Sequence, residues 1–304
     1  TGSAFTENLT ALARYQINLR TIHEVKVPYT SVELFGLKLA MPVLVAPITG
    51  METNLAGGMD EREYADAILE GCLESGTLGM VGDGASPKKY LIGLEAIKKR
   101  GGLGIPIFKP REYNLDIIKR FKAAEDAGAV AMGIDIDAAS FKTMSLKGQA
   151  VGPKTIAELQ ELKAHLKVPF ILKGIMNVGS ALAAIEAGAD AIVVSNHGGR
   201  VMDHMPGTAE VLPEIANAVG GRIKVLVDGG VREGIDILKM LALGADAVMI
   251  GRPICIAAFG AGQEGVSFYL REKLNELKKA MILTGCGSID RIDPSIIFRK
   301  KGDR

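Results

Sequence analysis

From Pro42 to the end of the chain, apolar segments of five or six residues alternate with amphipathic segments of ten to sixteen. The apolar segments lack internal alternation, as expected of parallel strands covered on both faces. They predict strands at Val43–Ala46, Thr77–Val81, Gly104–Phe108, Val130–Ile136, Phe170–Lys173, Ala191–Val194, Ile223–Val227 and Ala247–Ile250. The segments between them predict helices centred on Ala65, Leu94, Arg120, Leu159, Ala184, Ile215, Leu238 and Leu274. Three similar pieces, Asp126 to Ala129, Glu186 to Ala189 and Leu243 to Asp246, each place a glycine where a helix should stop and a strand begin. Eight such units predict an α/β chain folded as a (β/α)8 TIM barrel. Ahead of them, Thr6 to Leu19 has helical spacing at Leu9, Leu12, Ala13 and Gln16, with Thr6 as its expected cap. Ser31 to Leu39 reads as a short hairpin turning at Phe35-Gly36. The expected organisation is one domain over 1–304, with the N-terminal helix and hairpin in 1–41 and the barrel in 42–304. A doubly wound sheet would need G-x-G-x-x-G after its first strand, and Ala46-Pro47-Ile48-Thr49-Gly50 does not match.

Composition narrows the function classes. The chain has 304 residues, 48% of them apolar, with 37 glycines and a net charge of +1. No basic run stands out, so nucleic acid is not an expected partner. No apolar window approaches the ~18 residues of a membrane span, and no signal peptide is visible. The chain opens on Thr1, and residues upstream of it are expected to be missing. Cys72, Cys255 and Cys286 form no C-x-x-C pair, which gives neither a zinc spacing nor a disulfide framework. A reducing, cytoplasmic setting fits, with no metal expected.

Chemistry in this barrel collects where strands end. The predicted ends carry Ala46-Pro47-Ile48, Lys109, Asp135 with Asp137, Lys173-Gly174, Ser195 to Arg200, Asp228-Gly229-Gly230-Val231-Arg232, and Gly251-Arg252. Ser195-Asn196-His197-Gly198-Gly199-Arg200 is the densest: a buried run stops and a His and an Arg follow three residues apart. The glycines between them suggest close approach of backbone to a ligand. Glycine and arginine after strands seven and eight predict a phosphate site, from exposed N–H groups, a helix N-terminus and the forks of Arg232 and Arg252.

These stretches resemble the FMN-dependent α-hydroxy acid oxidases and dehydrogenases, the family of glycolate and lactate oxidases. The resemblance runs from about Phe5 to Ile292 and is densest from Pro169 onward. It implies FMN as cofactor and oxidation of a small L-2-hydroxy acid to the 2-oxo acid. His197 would take the substrate proton, Asp137 would steady the protonated His197, and Arg200 would hold the substrate carboxylate. Lys173 would lie at the flavin N1–O2 edge, and backbone at Ala46, Pro47 and Ile48 would face N5. Gly82, Lys109, Asp135, Ser195 and Gly198 would line the ring. Asp228 and Gly229 would meet the ribityl chain, and Gly230, Arg232, Gly251 and Arg252 the phosphate. The family also implies a homo-oligomer, a tetramer or octamer.

Some family positions are filled differently. Lys109-Pro110-Arg111 stands where the family has Gln-x-Tyr, Asp135 replaces a Thr and Gly82 a Ser. The loop 138–153 lacks the family's second substrate arginine and contains only Lys142 and Lys147 as cations. An N-terminal family Tyr would fall before Thr1. Arg111 stands at the position of the family's substrate-facing Tyr and would supply a second fork onto a small carboxylate substrate, the alternative being a solvated residue that opens the next helix. The alternative function is an FMN enzyme of the same barrel acting on another substrate, such as an isomerase.

Overall fold

The computed structural model describes residues 1–54 and 57–298; residues 299–304, counted above in the single domain, lie outside the described residues. Eight strands close a parallel barrel: β1 (Val43–Ile48), β2 (Gly79–Gly82), β3 (Ile105–Phe108), β4 (Met132–Asp135), β5 (Phe170–Ile175), β6 (Ala191–Val194), β7 (Lys224–Val227) and β8 (Ala247–Ile250). Each pairs with the next in sequence, and β8 returns to β1 through Met249 opposite Leu44 and Ile250 opposite Val45. The period-2 geometry of a strand divides its apolar residues between two layers. Leu44, Ile107, Val193, Leu226 and Met249 fill the barrel, whereas Val43, Val45, Ile192 and Val227 face the helices.

Each predicted helix centre falls within an observed helix. Capping boxes start three of them, Asp60 with Glu63, Thr155 with Glu158 and Glu233 with Asp236. The glycines expected to end helices, Gly128, Gly188 and Gly244, all follow the last helical turn with positive φ. β4 is shorter than the expected Val130–Ile136, because Ile136 and Asp137 enter a 3₁₀ turn over Ile136–Ser140. That turn lifts Asp137 out of the strand and towards the mouth of the barrel.

The hairpin pairs Val32–Leu34 with Leu37–Leu39 through Phe35 (φ 53°) and Gly36 (φ 78°). Positive φ at both central residues matches the strand twist. Leu34 and Leu39 join the cluster that fills the barrel, so the hairpin closes its N-terminal end. The N-terminal helix is Ser3–Arg14, not Thr6 to Leu19, and Thr6 lies in its first turn rather than capping it. Its buried face is Ala4, Asn8, Ala11 and Leu12; Tyr15 then turns extended and Gln16–Ile17 pair with Ile297–Phe298.

That helix packs on the loops after β6 and β7. A Cβ on Gly199 would stand 2.4 Å from the Phe5 amide nitrogen, and one on Gly230 would stand 2.4 Å from the Asn8 carbonyl oxygen. Gly199 is therefore needed for approach of the helix, not of a ligand as its neighbours suggested. Asn8 and Asn196 join the two parts by reciprocal amide hydrogen bonds of 2.8 and 3.0 Å, both buried. Asn196 also accepts from the Gly199 N–H, and Asn8 from the Thr208 N–H.

Candidate active site

The C-terminal mouth holds two adjoining cavities that share Pro47, Ile48, His197 and Arg200. The larger, about 500 Å³, runs from Ala46, Pro47 and Ile48 past Lys173 and Asp228 to Gly229, Gly230, Arg232, Gly251 and Arg252. The smaller contains Gly82, Lys109 and Asp135 in its wall. Three expected residues do not line either cavity: Ser195, Asp137 and Arg111. Ser195 is fully buried, and its hydroxyl accepts from the His197 N–H. Asp137 stands behind His197 rather than in the wall.

His197 follows β6 in the left-handed region, with φ 57°. A non-glycine residue rarely stays there unless its surroundings hold it. Its Nδ1 lies 3.1 and 3.2 Å from the two carboxylate oxygens of Asp137. A carboxylate only accepts, so Nδ1 carries the proton and Nε2 keeps its lone pair free for the cavity. Burial pushes the His197 pKa down, and Lys173 and Lys109 push it further; Asp135 and Asp137 oppose this but do not reverse it. Proximity to Asp137 therefore does not make this imidazole more basic than usual.

Asp135 ends β4 between two ammoniums, Lys109 Nζ at 2.7 Å and Lys173 Nζ at 3.1 Å. Burial disfavours its charged form, but the two lysines outweigh burial and hold the carboxyl far below the usual range. Burial likewise disfavours the Lys173 ammonium, and Asp135, Asp228 and Asp137 outweigh it, so its pKa is raised. Asp135, Asp137 and His197 bring potential ligand atoms within 4.8 Å of one another. With Asp135 neutralised by two lysines, this cluster is suited to holding a proton rather than a cation.

The residues present fit FMN. Asp228 Oδ1 is buried and has no hydrogen-bond partner among the described residues, and burial raises the pKa of this group against the pull of Lys173. A polyol hydroxyl would satisfy that acceptor. Arg200, Arg232 and Arg252 converge on the larger cavity. The Arg252 pKa is lowered by burial and then by Arg200 and Arg232, as expected of cations gathered for an anion. Arg252 is held by a 2.8 Å hydrogen bond to the Gly198 carbonyl and lies over the Phe5 ring at 4.6 Å. The helix Arg252–Thr284 starts at this point without a side-chain cap, leaving its first N–H groups towards the cavity. The helix after β7 has its N-terminus occupied by Glu233 and Asp236.

Arg111 is a correction. Its side chain is 4% exposed and lines neither cavity; one nitrogen bonds Asp83 at 2.9 and 3.1 Å and the Gly84 carbonyl at 2.7 Å, the other Gln149 at 2.8 Å. The guanidinium is spent on the wall and cannot fork onto a substrate. Phe141, unnoticed in the sequence, takes a central place instead. Its ring lies 5.2 Å from the His197 ring, with Lys109 Nζ at 5.0 Å and the Arg200 guanidinium at 5.4 Å. The available signal was that Phe141 is the one aromatic in the loop 138–153.

A base with a carboxylate behind it, an arginine beside it and a phosphate-binding end define a barrel that can hold a phosphate-bearing ligand next to a proton-accepting histidine. The profile of the FMN-dependent dehydrogenase family matches residues 1–156 and 139–299, and the chain belongs to that family. An L-lactate oxidase from Lactobacillus jensenii is 32% identical over 316 residues, covering 94% of this chain and 75% of its own. A 4-hydroxymandelate oxidase from Amycolatopsis orientalis is 32% identical over 328 residues, covering 95% and 88%. Among solved structures, a mandelate oxidase variant with (S)-mandelic acid superposes with a TM-score of 0.83 at 31% identity, covering 100% of this chain and 91% of that one. Another, with a C4a-OH-FMN adduct, gives 0.81 at 31% identity, covering 99% and 92%. The protein is an FMN-dependent oxidoreductase of the 2-hydroxy acid oxidase class. Among the described residues no helix is long and apolar enough to cross a membrane.

Proposed function

We propose that the protein oxidises a small L-2-hydroxy acid to the 2-oxo acid, with His197 as the base. The observation that carries this is the His197–Asp137 pair facing the same cavity as Arg200. Bound FMN supplies a two-electron acceptor. The protein's residues do the rest. Arg200 holds the carboxylate with a planar fork. His197 Nε2 takes a proton from the substrate, and Asp137 stabilises the imidazolium through Nδ1–H. Lys173 would hold a fixed positive charge beside the bound cofactor, without reorganisation. Phe141 excludes water from His197 and Arg200. Asp228 and the glycines after β7 would receive the ribityl chain, and Arg232 and Arg252 the phosphate. We extend the proposal to a cytosolic homo-oligomer. All three cysteines are buried and free, and Ile256, Phe268 and Leu283 leave apolar surface on the helical segment Arg252–Thr284, on either side of its kink at Ala261 and Gly262.

The test is anaerobic mixing of the yellow protein with a panel of (S)-2-hydroxy acids. Bleaching of the flavin absorbance by at least one is expected; an enzyme of another substrate class would leave it unchanged with all.

The pH profile should carry the mark of His197. The base works when neutral, so kcat/KM rises with pH through its pKa and is flat above it. Since burial and the lysines place that pKa below the ordinary 6.5, the plateau should be reached by neutral pH. A limb still climbing at alkaline pH would assign the proton to a different group.

A further inference from the structure

We propose that the substrate carries a second anionic group, received by Lys89 with Lys147 at the rim of the smaller cavity. This rests on the 2-hydroxy acid reading and names the substrate class: a 2-hydroxy acid whose side chain ends in an anion, a carboxylate being the smallest.

The inference comes from the charges around that cavity. Its wall contains Lys89, Lys109, Lys147 and Arg200 as cations, and Asp83 and Asp135 as carboxylates. Both carboxylates are already matched from the wall. Asp83 pairs with Arg111 at 2.9 Å and Arg120 at 3.5 Å, and Asp135 pairs with Lys109 at 2.7 Å and Lys173 at 3.1 Å. Glu61, which borders the neighbouring recess beside Lys89, is spent on the Thr49 hydroxyl and the amides of Gly50 and Met51. Lys89, Lys147 and Arg200 are left with no ion pair among the described residues. One substrate carboxylate on Arg200 accounts for one of the three.

Lys89 is half-buried, and its stem crosses the loop after β2 so closely that a Cβ on Gly84 would stand 2.8 Å from its Cδ. An ammonium partly withdrawn from water without a counter-charge favours an anion more than a fully solvated one does. Lys147 is exposed and contributes less, as screened surface charges do. Both are point charges on flexible stems, suited to a terminal anion whose position varies with chain length.

The experiment uses the FMN-loaded enzyme and substrates matched in chain length. Rates of anaerobic flavin bleaching are compared for (S)-2-hydroxyvalerate and (S)-2-hydroxyglutarate, with (S)-3-phosphoglycerate as the phosphate arm. At least one dianionic substrate should exceed the uncharged-chain acid in kcat/KM by about tenfold, mostly through KM. Its identity separates carboxylate from phosphate. The ratio should fall towards unity in Lys89→Met, fall less in Lys147→Met, and be retained in Lys89→Arg. If Lys89→Met does not yield holoenzyme, Lys89→Gln and the rise of the dianion KM with salt read the same interaction. An unchanged ratio in the Lys89 variants, or a preference for the uncharged chain, overturns the inference while leaving the 2-hydroxy acid reading standing. Failure of every 2-hydroxy acid to bleach the flavin overturns both.

Discussion

Replacing His197 by glutamine should leave a yellow protein whose flavin is reduced by substrate at least ~10²-fold, and up to ~10⁴-fold, more slowly than in the parent. Glutamine retains an N–H for the Asp137 carboxylate but has no basic nitrogen to offer the cavity. The defect should therefore lie in the reduction step rather than in the amount of FMN bound. The left-handed backbone at this position suits glutamine less well than histidine, so bound FMN and the unfolding midpoint are measured alongside the rate. Asp137→Asn should slow the same step by less, because it leaves the imidazole in place while removing the charge that stabilises its protonated form. Stopped-flow reduction under anaerobic conditions measures both. A His197→Gln rate within tenfold of the parent would remove His197 from the chemistry.

Arg111→Met should act on stability rather than on substrate. The variant leaves the fully buried Asp83 carboxylate with only Arg120, at 3.5 Å, as a counter-charge. Breaking a buried pair from one side costs about 3–5 kcal/mol, because the remaining charge stays out of water. The loss should appear as a large fall in the urea midpoint, with the KM of folded enzyme little changed. An unchanged midpoint together with a tenfold higher KM would put Arg111 back among the substrate contacts. Methionine preserves most of the side-chain volume, so the effect reads charge and hydrogen bonding more than a cavity.

The barrel was legible because its signals are local and repeated. An unbroken apolar run means a doubly covered strand wherever it occurs, and a glycine after a helical turn means a stop. The strand-end residues were legible for a related reason, since the fold itself makes those positions the mouth. The N-terminal helix was misplaced because its buried face includes Asn8, a polar residue satisfied by Asn196. Hydrophobic periodicity shifts the apparent face towards Leu9, which is 37% exposed. The direction of Arg111 depends on Asp83, 28 residues earlier and on another strand end, which no local pattern encodes. Phe141 was missed because one aromatic in a loop has no period. Lys89 was missed because a lysine at the start of a helix resembles any solvated one until its surrounding carboxylates have been paired off.

The docking of Ser3–Arg14 also bears on when the protein can hold its cofactor. Asn8 meets Asn196 across 188 residues of sequence and Thr208 across 200, and the Arg252 over the Phe5 ring comes later still. Contacts so distant in sequence form late, since long loops must close before their contacts contribute. During synthesis, this helix emerges before β6, β7 and β8 and must wait for them before it has a surface to cover. The phosphate end of the FMN site is consequently among the last parts of the molecule to be completed. FMN acts as a ligand of the finished barrel, drawing the final docking step forward by mass action. Apparent thermal stability should therefore climb with free FMN, and refolding yield should depend on its presence during the slow closing phase.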